Sequence, residues 1–491
     1  MIRKNPMTRR RLAAAIAACF ALAAFATPCF ANYDNVTNCN DTGAGSLRST
    51  IASAASGDTV VLNPTAMHCS SITLASGEIV VPQNDLTVKY NADNANQITI
   101  SGGLDHGIKY FHEYDYRVFH HTGGGKITLQ RLNVVGGFYQ SVSPTKSVAG
   151  GCIDSSGVVD LVRSTVSGCS LTADLGLTFT LRGGGVYAAK GLIMDHSTIS
   201  ESRVENRYFG TYTYNYYSQT FKRTNYYGAP AQGGGAFANN YINAQYSTIS
   251  ENESFSYSFN SLGGGIFLYN ANSNNTSSIQ QCTISYNEAQ RAAGLMAANL
   301  SGAFTILNST ISGNELGNFF SDNKGLYQYS YAHGAAILSL GPLSVRNSTI
   351  TGSNAPGKDA VFFGKTAHSG QVGFASTIIA TNFSSFDVSS QYSIVVEGGY
   401  NLIQSHANTI TFAFPPATGD PLLQPLADNG GPTLTHAFRI GSPAFGSGVR
   451  LGNPPTDQRG TGFPRQAPNG DVDIGAYQEQ VRDRIFSDGF D

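Results

Sequence analysis

The chain has 491 residues, with 30 Lys and Arg against 32 Asp and Glu, only 13% charged residues, 55 glycines and no tryptophan. A formal net charge of −2 argues against nucleic acid as the default partner. The length exceeds one ordinary compact core, and past the first 30 residues no apolar run reaches the about 18 residues that a membrane-spanning helix needs.

Arg3, Lys4, Arg9, Arg10 and Arg11 precede an apolar run from Leu12 to Phe25, and Cys29-Phe30-Ala31 places small residues where a signal peptidase reads. Residues 1–31 are therefore read as a signal peptide cleaved near Ala31, which sends the mature chain out as a secreted or outer-cell-surface protein. Without those five cations the excess of acids grows from 2 to 7. Five cysteines remain after the leader, in keeping with an oxidising destination. Cys39 with Cys69 would staple the start of the fold, and Cys152 with Cys169 would close one coil, leaving Cys282 as a lone buried thiol. No Cys or His grouping has zinc spacing.

The stretch from Ser46 to Ala55 puts Leu47, Ile51 and Ala54 on one side of a short helix, suited to cover the end of an elongated fold. Downstream, one phrase recurs: Ser164-Thr165-Val166-Ser167, Ser197-Thr198-Ile199-Ser200, Ser247-Thr248-Ile249-Ser250, Cys282-Thr283-Ile284-Ser285, Ser309-Thr310-Ile311-Ser312, Ser348-Thr349-Ile350-Thr351 and Ser376-Thr377-Ile378-Ile379. Copies lie 27 to 50 residues apart, the period of solenoid coils. Glycine runs such as Gly183-Gly184-Gly185, Gly233-Gly234-Gly235 and Gly263-Gly264-Gly265 keep step, allowing close backbone approach at a corner. Asn252, Asn287 and Asn314 follow the phrase at one offset, where amides turn the chain and bond from coil to coil. The pattern predicts an all-β, single-stranded parallel β-helix. Its parts are an N-terminal cap and first coils at 32–122, regular coils at 123–412, terminal coils with a C-terminal cap at 413–480, and a tail at 481–491.

Gly45-Ser46-Leu47-Arg48 with Gly57-Asp58-Thr59-Val60, the glycine and Ser-Thr-Ile-Ser units, Asp428-Asn429-Gly430-Gly431-Pro432-Thr433, and Asp457-Gln458-Arg459-Gly460 leading to Asp473-Ile474-Gly475-Ala476-Tyr477 resemble the secreted bacterial β-helix proteins of the choice-of-anchor group. The repeats are also similar to those of polymorphic outer-membrane proteins. The resemblance implies secretion, a right-handed β-helix of the pectate-lyase-like solenoid type, and cell-surface or adhesive roles. The last nine residues, from Asp483 to Asp491, resemble a short acidic-aromatic tail on exported proteins of some Gram-negative bacteria, a candidate sorting signal.

Where the repeat swells, rings concentrate. Tyr208, Tyr212, Tyr214, Tyr216, Tyr217, Tyr226, Tyr227, Tyr257, Tyr329 and Tyr331 are the candidate ligand-binding residues. Their amphipathic rings suit sugars or a protein partner, which makes an extracellular glycan or a surface protein the expected ligand. Packing of these rings on one another is the structural alternative. Glu253, Glu288 and Glu315 each follow a turn asparagine, so adjacent coils would stack them; like charges so close splay, take up a proton or recruit Ca2+. A polysaccharide lyase or glycoside hydrolase is a further alternative, with Glu205 and Glu253 as acids and Arg203, Lys222 or Arg223 as bases or clamps. The Asn-Thr-Asp, paired-Asp, Gly-His-Gly and Arg-Ile-Lys series of pectin-degrading β-helix enzymes is missing, and Ala332-His333-Gly334 is a fragment of it. A structural surface protein without a specific ligand is the third reading.

Overall fold

The computed structural model describes residues 31–92, 97–103, 116–141, 148–173, 180–207, 211–215, 220–224, 230–256, 260–269, 275–298, 302–317, 332–364, 367, 371–449 and 454–480, with only the backbone at 141, 211–215 and 220–224. Residues 1–30, within the expected signal peptide, and the expected tail at 481–491 lie outside the described residues.

The recurring phrase becomes a short strand because its β-branched pair favours extended backbone, and alternation sends Ile inward and Thr outward. Thr165–Ser167, Thr198–Ser200, Thr248–Ser250, Thr283–Ser285 and Thr310–Ser312 pair in parallel, Thr on Thr and Val or Ile on Ile. They lie in an 11-stranded sheet from Ser71–Thr73 to Leu402–Ile403, the phrase sheet. A second 11-stranded sheet runs from Tyr33–Val36 to Val372–Ala375, and a third, 16-stranded sheet folds into two arms joined through Asn354–Phe363. After each phrase the chain crosses the first arm, leaves in a segment of variable length, returns along the second arm and turns into the second sheet. Neighbouring strands of these three sheets are one coil apart and parallel, which is the coil-by-coil path of a parallel β-helix. Ile199, Ile249, Ile284, Ile311 and Ile350 stack fully buried along its axis.

The corners are specific. Each phrase is bracketed by left-handed residues that are often not glycine, including His196 and Glu201, Tyr246 and Glu251, and Gln281 and Tyr286, with φ between 47° and 58°. The first letter of the phrase forms a hydroxyl ladder: Ser164 N donates to Ser197 Oγ at 3.1 Å, Ser197 N to Ser247 Oγ at 3.1 Å, and Cys282 N to Ser309 Oγ at 3.2 Å. Cys282 holds the same slot as a buried free thiol. Asn252 Nδ2 donates to Asn287 Oδ1 at 3.0 Å, and Asn287 Nδ2 to Asn314 Oδ1 at 3.0 Å, so the amides satisfy one another in the buried turn. The two arms approach closest at the glycines. A Cβ on Gly234 would overlap Gly264 O and the Glu253 backbone, which leaves no room for any other residue.

At the N-terminal end a helix, Leu47–Ser53, buries Leu47, Thr50 and Ile51. Its N-cap Ser46 accepts from Ser49 N, as a serine at that position should. Disulfides join Cys39 to Cys69 and Cys152 to Cys169, the pairs expected from their placement.

The terminal segment does more than cover the last coils. It runs back along the outside of the phrase sheet as a strap: Gln281 Nε2 donates to Asp457 O at 2.9 Å, Thr310 Oγ1 to Gln458 Oε1 at 2.6 Å, and Ala476 N to Thr349 Oγ1 at 3.0 Å. Inside the strap Arg459 Nη2 meets Asp457 Oδ2 at 2.7 Å, and the guanidinium sits 4.0 Å from the Phe463 ring centre and 3.9 Å from that of Tyr477. Arg465, fully buried, donates to Asp473 O at 2.9 Å and to Gly475 O at 2.6 Å. The two motifs quoted from 457–460 and 473–477 are therefore the clasp of this strap.

Candidate ligand-binding groove

The residues after each glycine run alternate, so Val186, Ala236, Ile266 and Leu295 face the core while the next residue faces out. Register aligns those outward residues as one column, Tyr187, Phe237, Phe267, Met296 and Leu338. Two residues on, Asn239, Tyr269 and Ala298 form a second column. A third comes from the short strands Leu181–Arg182, Ala231–Gln232 and Ser261–Leu262, extended by a bridge from Leu262 to Arg291. Between the second and third columns runs a groove of about 440 Å³, floored by Phe237, Phe267 and Met296.

The rings of the floor lie on each other. Tyr187 and Phe237 are 5.5 Å apart at 28°, and Phe237 and Phe267 are 5.2 Å apart at 8°. Phe237 and Phe267 are each 3% exposed, so they give the groove an apolar base and do not offer free faces for stacking. Polar groups stand above them: Arg182, Gln232, Asn239, Tyr269 and Arg291. The Arg182 guanidinium lies 5.1 Å from the Phe237 ring centre. Nε of Arg182, Nε of Arg291 and Oδ1 of Asn239 are buried without a hydrogen-bond partner among the described residues. Burial lowers the Arg291 pKa.

The segments that swell between coils return into this wall, at Thr180, Pro230 and Asn260. Of the ring candidates, Tyr208, Tyr216, Tyr217, Tyr226, Tyr227, Tyr257, Tyr329 and Tyr331 lie outside the described residues. Tyr212 and Tyr214 have a described backbone in an antiparallel hairpin whose register pairs them with Arg223 and Phe221, and Thr213 with Lys222. The side chains of Lys222 and Arg223 also lie outside the described set.

The acid column stacks as the sequence implies, Glu253 beside Glu288 and Glu288 beside Glu315. Its ends are closed by donors: Arg203 Nη2 lies 3.4 Å from Glu253 Oε1, and Asn354 Nδ2 donates to Glu315 Oε1 at 2.8 Å. Burial and the two flanking carboxylates push Glu288 up to about 7, and burial also raises Glu253. Among the described residues no group of three or more His, Cys, Asp or Glu forms a metal-holding cluster. Glu205 is buried at 4% exposure, with Oε1 3.1 Å from Arg203 Nη2 and Oε2 2.8 Å from Arg207 Nε. Both of its oxygens are engaged, so the arrangement is a neutralised buried charge before it is an acid or base.

A cluster of charged residues that no sequence motif marks sits at one end of the outward column. Val80, His120, Asp154 and Tyr187 occupy successive coils there. His120 Nδ1 lies 2.7 Å from Glu78 Oε1, and Arg117 bridges Glu78 at 3.0 Å and Asp154 at 3.4 Å. The Glu78 contact raises the His120 pKa, and burial raises that of Asp154. Glu78 and His120 are 42 residues apart, and no local motif links them.

The family comparison agrees with this architecture. A family model described as "right handed beta helix region" matches residues 152–350. A solved structure, the crystal structure of pectate lyase Pel9A, aligns over 91% of this chain and 96% of its own, with a TM-score of 0.43 and 13% identity. No curated protein matches the sequence. The fold, read from strand order, register and the family match, is a right-handed parallel β-helix.

Proposed function

We propose that this chain is an exported, surface-exposed or secreted β-helix of adhesin-like type that binds a glycan along the groove of the third sheet. One observation carries the reading. The groove sets an apolar base beneath a rim of amide, phenol and guanidinium groups over four consecutive coils, the mixture that recognises sugar rings and their hydroxyls. Export is supported by the basic-then-apolar start of the sequence and by two disulfides. A glycan array with residues 32–491 tests binding. Hits that weaken at least about tenfold in Gln232→Ala or Tyr269→Ala are expected. Binding only to a surface protein would replace the glycan, and binding to nothing would leave a structural surface protein.

The observation favouring a catalytic version, a polysaccharide lyase or glycoside hydrolase, is the Glu78, His120, Asp154 and Arg117 cluster one coil from Tyr187. New reducing ends or unsaturated sugars released by wild type and lost in His120→Ala would establish it. Calcium on the Glu253, Glu288 and Glu315 column is a subsidiary proposal, overturned by calorimetry showing no heat above a chelator control.

A further inference from the structure

The rim column Arg182, Gln232, Leu262 and Arg291 places its two cations in the first and fourth of consecutive coils. Three coil rises separate them, about 14 Å along the solenoid axis. Three other arginines of the described chain meet acids, Arg117 with Glu78 and Asp154, Arg203 with Glu205 and Glu253, and Arg459 with Asp457, while the fully buried Arg465 meets backbone carbonyls. Arg182 and Arg291, both half-buried, have no ion pair among the described residues, and Nε of each, like that of Arg203 and Arg465, is buried with no acceptor among them. A half-buried guanidinium with no acid beside it is open to an anion, and its planar fork matches a carboxylate or sulfate. The rest of the chain carries an excess of acids, so these cations do not belong to a general basic surface.

From these cations and the straight groove between them we propose that the site takes an anionic glycan, carboxylated or sulfated, lying parallel to the solenoid axis. One acidic group sits at Arg182 and a second at Arg291. The sugar bodies between them cross the floor of Phe237, Phe267 and Met296, and Gln232, Asn239 and Tyr269 meet their hydroxyls. Asn239 Oδ1, without a partner among the described residues, accepts one of those hydroxyls. The solenoid repeats its contacts at every coil, and a linear sugar polymer repeats along its length, so periodic matches periodic. This proposal rests on the glycan-binding reading of the groove.

The test measures, by calorimetry, binding of an alginate hexamer, the same hexamer with its carboxyls reduced, and a sulfated hexamer of the same length. Each is titrated into residues 32–491 as wild type, Arg182→Gln, Arg291→Gln and the double variant. At least one acidic hexamer is expected to bind wild type about tenfold or more tightly than the reduced one. Each Gln variant loses about tenfold for that acidic hexamer, the double variant binds acidic and reduced forms alike, and Arg291→Lys recovers part of the loss. Which acidic hexamer binds distinguishes carboxylate from sulfate. Equal binding of acidic and reduced hexamers by wild type overturns the anionic class while the glycan reading stands. Acidic binding unchanged in the double variant puts the anion site elsewhere and also overturns it. Binding of none of the three, with no hit on the array, removes the glycan reading itself. Should the Gln variants fail to fold, the salt dependence of wild-type binding decides, because affinity indifferent to salt is incompatible with two ion pairs.

Discussion

On the outer face of the phrase sheet, the column of Thr283, Thr310 and Thr349 is roofed by the strap, whereas on the outer face of the third sheet Phe237, Phe267 and Met296 floor an open groove. Both columns arise from the same stacking of coils. They differ in how their polar neighbours are satisfied. Under the strap, Thr283 Oγ1 donates to Leu434 O at 2.7 Å, Gln458 Nε2 donates to Thr283 Oγ1 at 3.0 Å, and Arg459 is matched to Asp457. Along the groove, Arg182 Nε, Arg291 Nε and Asn239 Oδ1 have no partner among the described residues. A repeated scaffold thus produces two kinds of surface, one covered by its own terminal segment and one that forms a groove. The second kind is the one proposed above to take a ligand.

The largest effect should come from opening the closed face. Arg459→Leu leaves the Asp457 carboxylate fully buried beside no cation, and breaking such a pair from one side costs about 3–5 kcal/mol. Urea denaturation should show a loss of that size, with faster amide exchange along Thr283–Ser285 and Thr310–Ser312. A loss under about 1 kcal/mol would mean the strap is not held by its clasp. Thr310→Val is milder. It keeps the shape of the strand but strips Gln458 Oε1 of its donor at a buried position, a cost of about 1–2 kcal/mol in the same assay.

How much of this was legible beforehand follows from the range of each interaction. The phrase, the inward isoleucines, the Asn252–Asn287–Asn314 ladder, the short N-terminal helix and both disulfides depend on residues that repeat or lie close in sequence, so spacing exposes them. The corners were half seen. Glycines advertise left-handed backbone, but His196, Tyr246 and Gln281 adopt it because the coil imposes it, and nothing in their side chains announces this. The strap was read as covering the end of the solenoid because its partners are remote: Gln281 and Asp457 are 176 residues apart. The groove escaped for a different reason. Val186-Tyr187, Ala236-Phe237 and Ile266-Phe267 look like half-buried strands, and only coil-to-coil register shows that their outward rings share one floor.

The acid column offers a smaller and pH-dependent effect on the open part of the third sheet. Glu288 has a folded pKa of about 7 against an ordinary value of 4.5, so the folded chain holds this proton more tightly than the unfolded chain does. Stability must then fall as pH rises between those values, and the full penalty is present above pH 7. Because Glu288 is only half-buried, solvent screening reduces the penalty to about 1 kcal/mol. Glu288→Gln should therefore stabilise the protein by about 1 kcal/mol at pH 8 and leave it unchanged at pH 4.5. A gain equal at both pH values would show that the three carboxylates do not feel one another.

The smallest expected change in stability is the most telling for the comparison. Arg291→Met keeps a long stem in the wall shared with Leu262 and Met296 but removes a half-buried cation that no acid compensates among the described residues. Replacing such a charge by an apolar side chain of similar length is neutral or favourable, so urea denaturation should place the variant within about 0.5 kcal/mol of wild type or above it. The contrast with Arg459 is the point. Both are arginines on the outer face of the same solenoid, but Arg459 is buried against its acid and Arg291 is half-buried with no acid beside it among the described residues. A loss of about 2 kcal/mol in Arg291→Met would show that this guanidinium is tied into the structure after all, and the groove would then belong with the closed face.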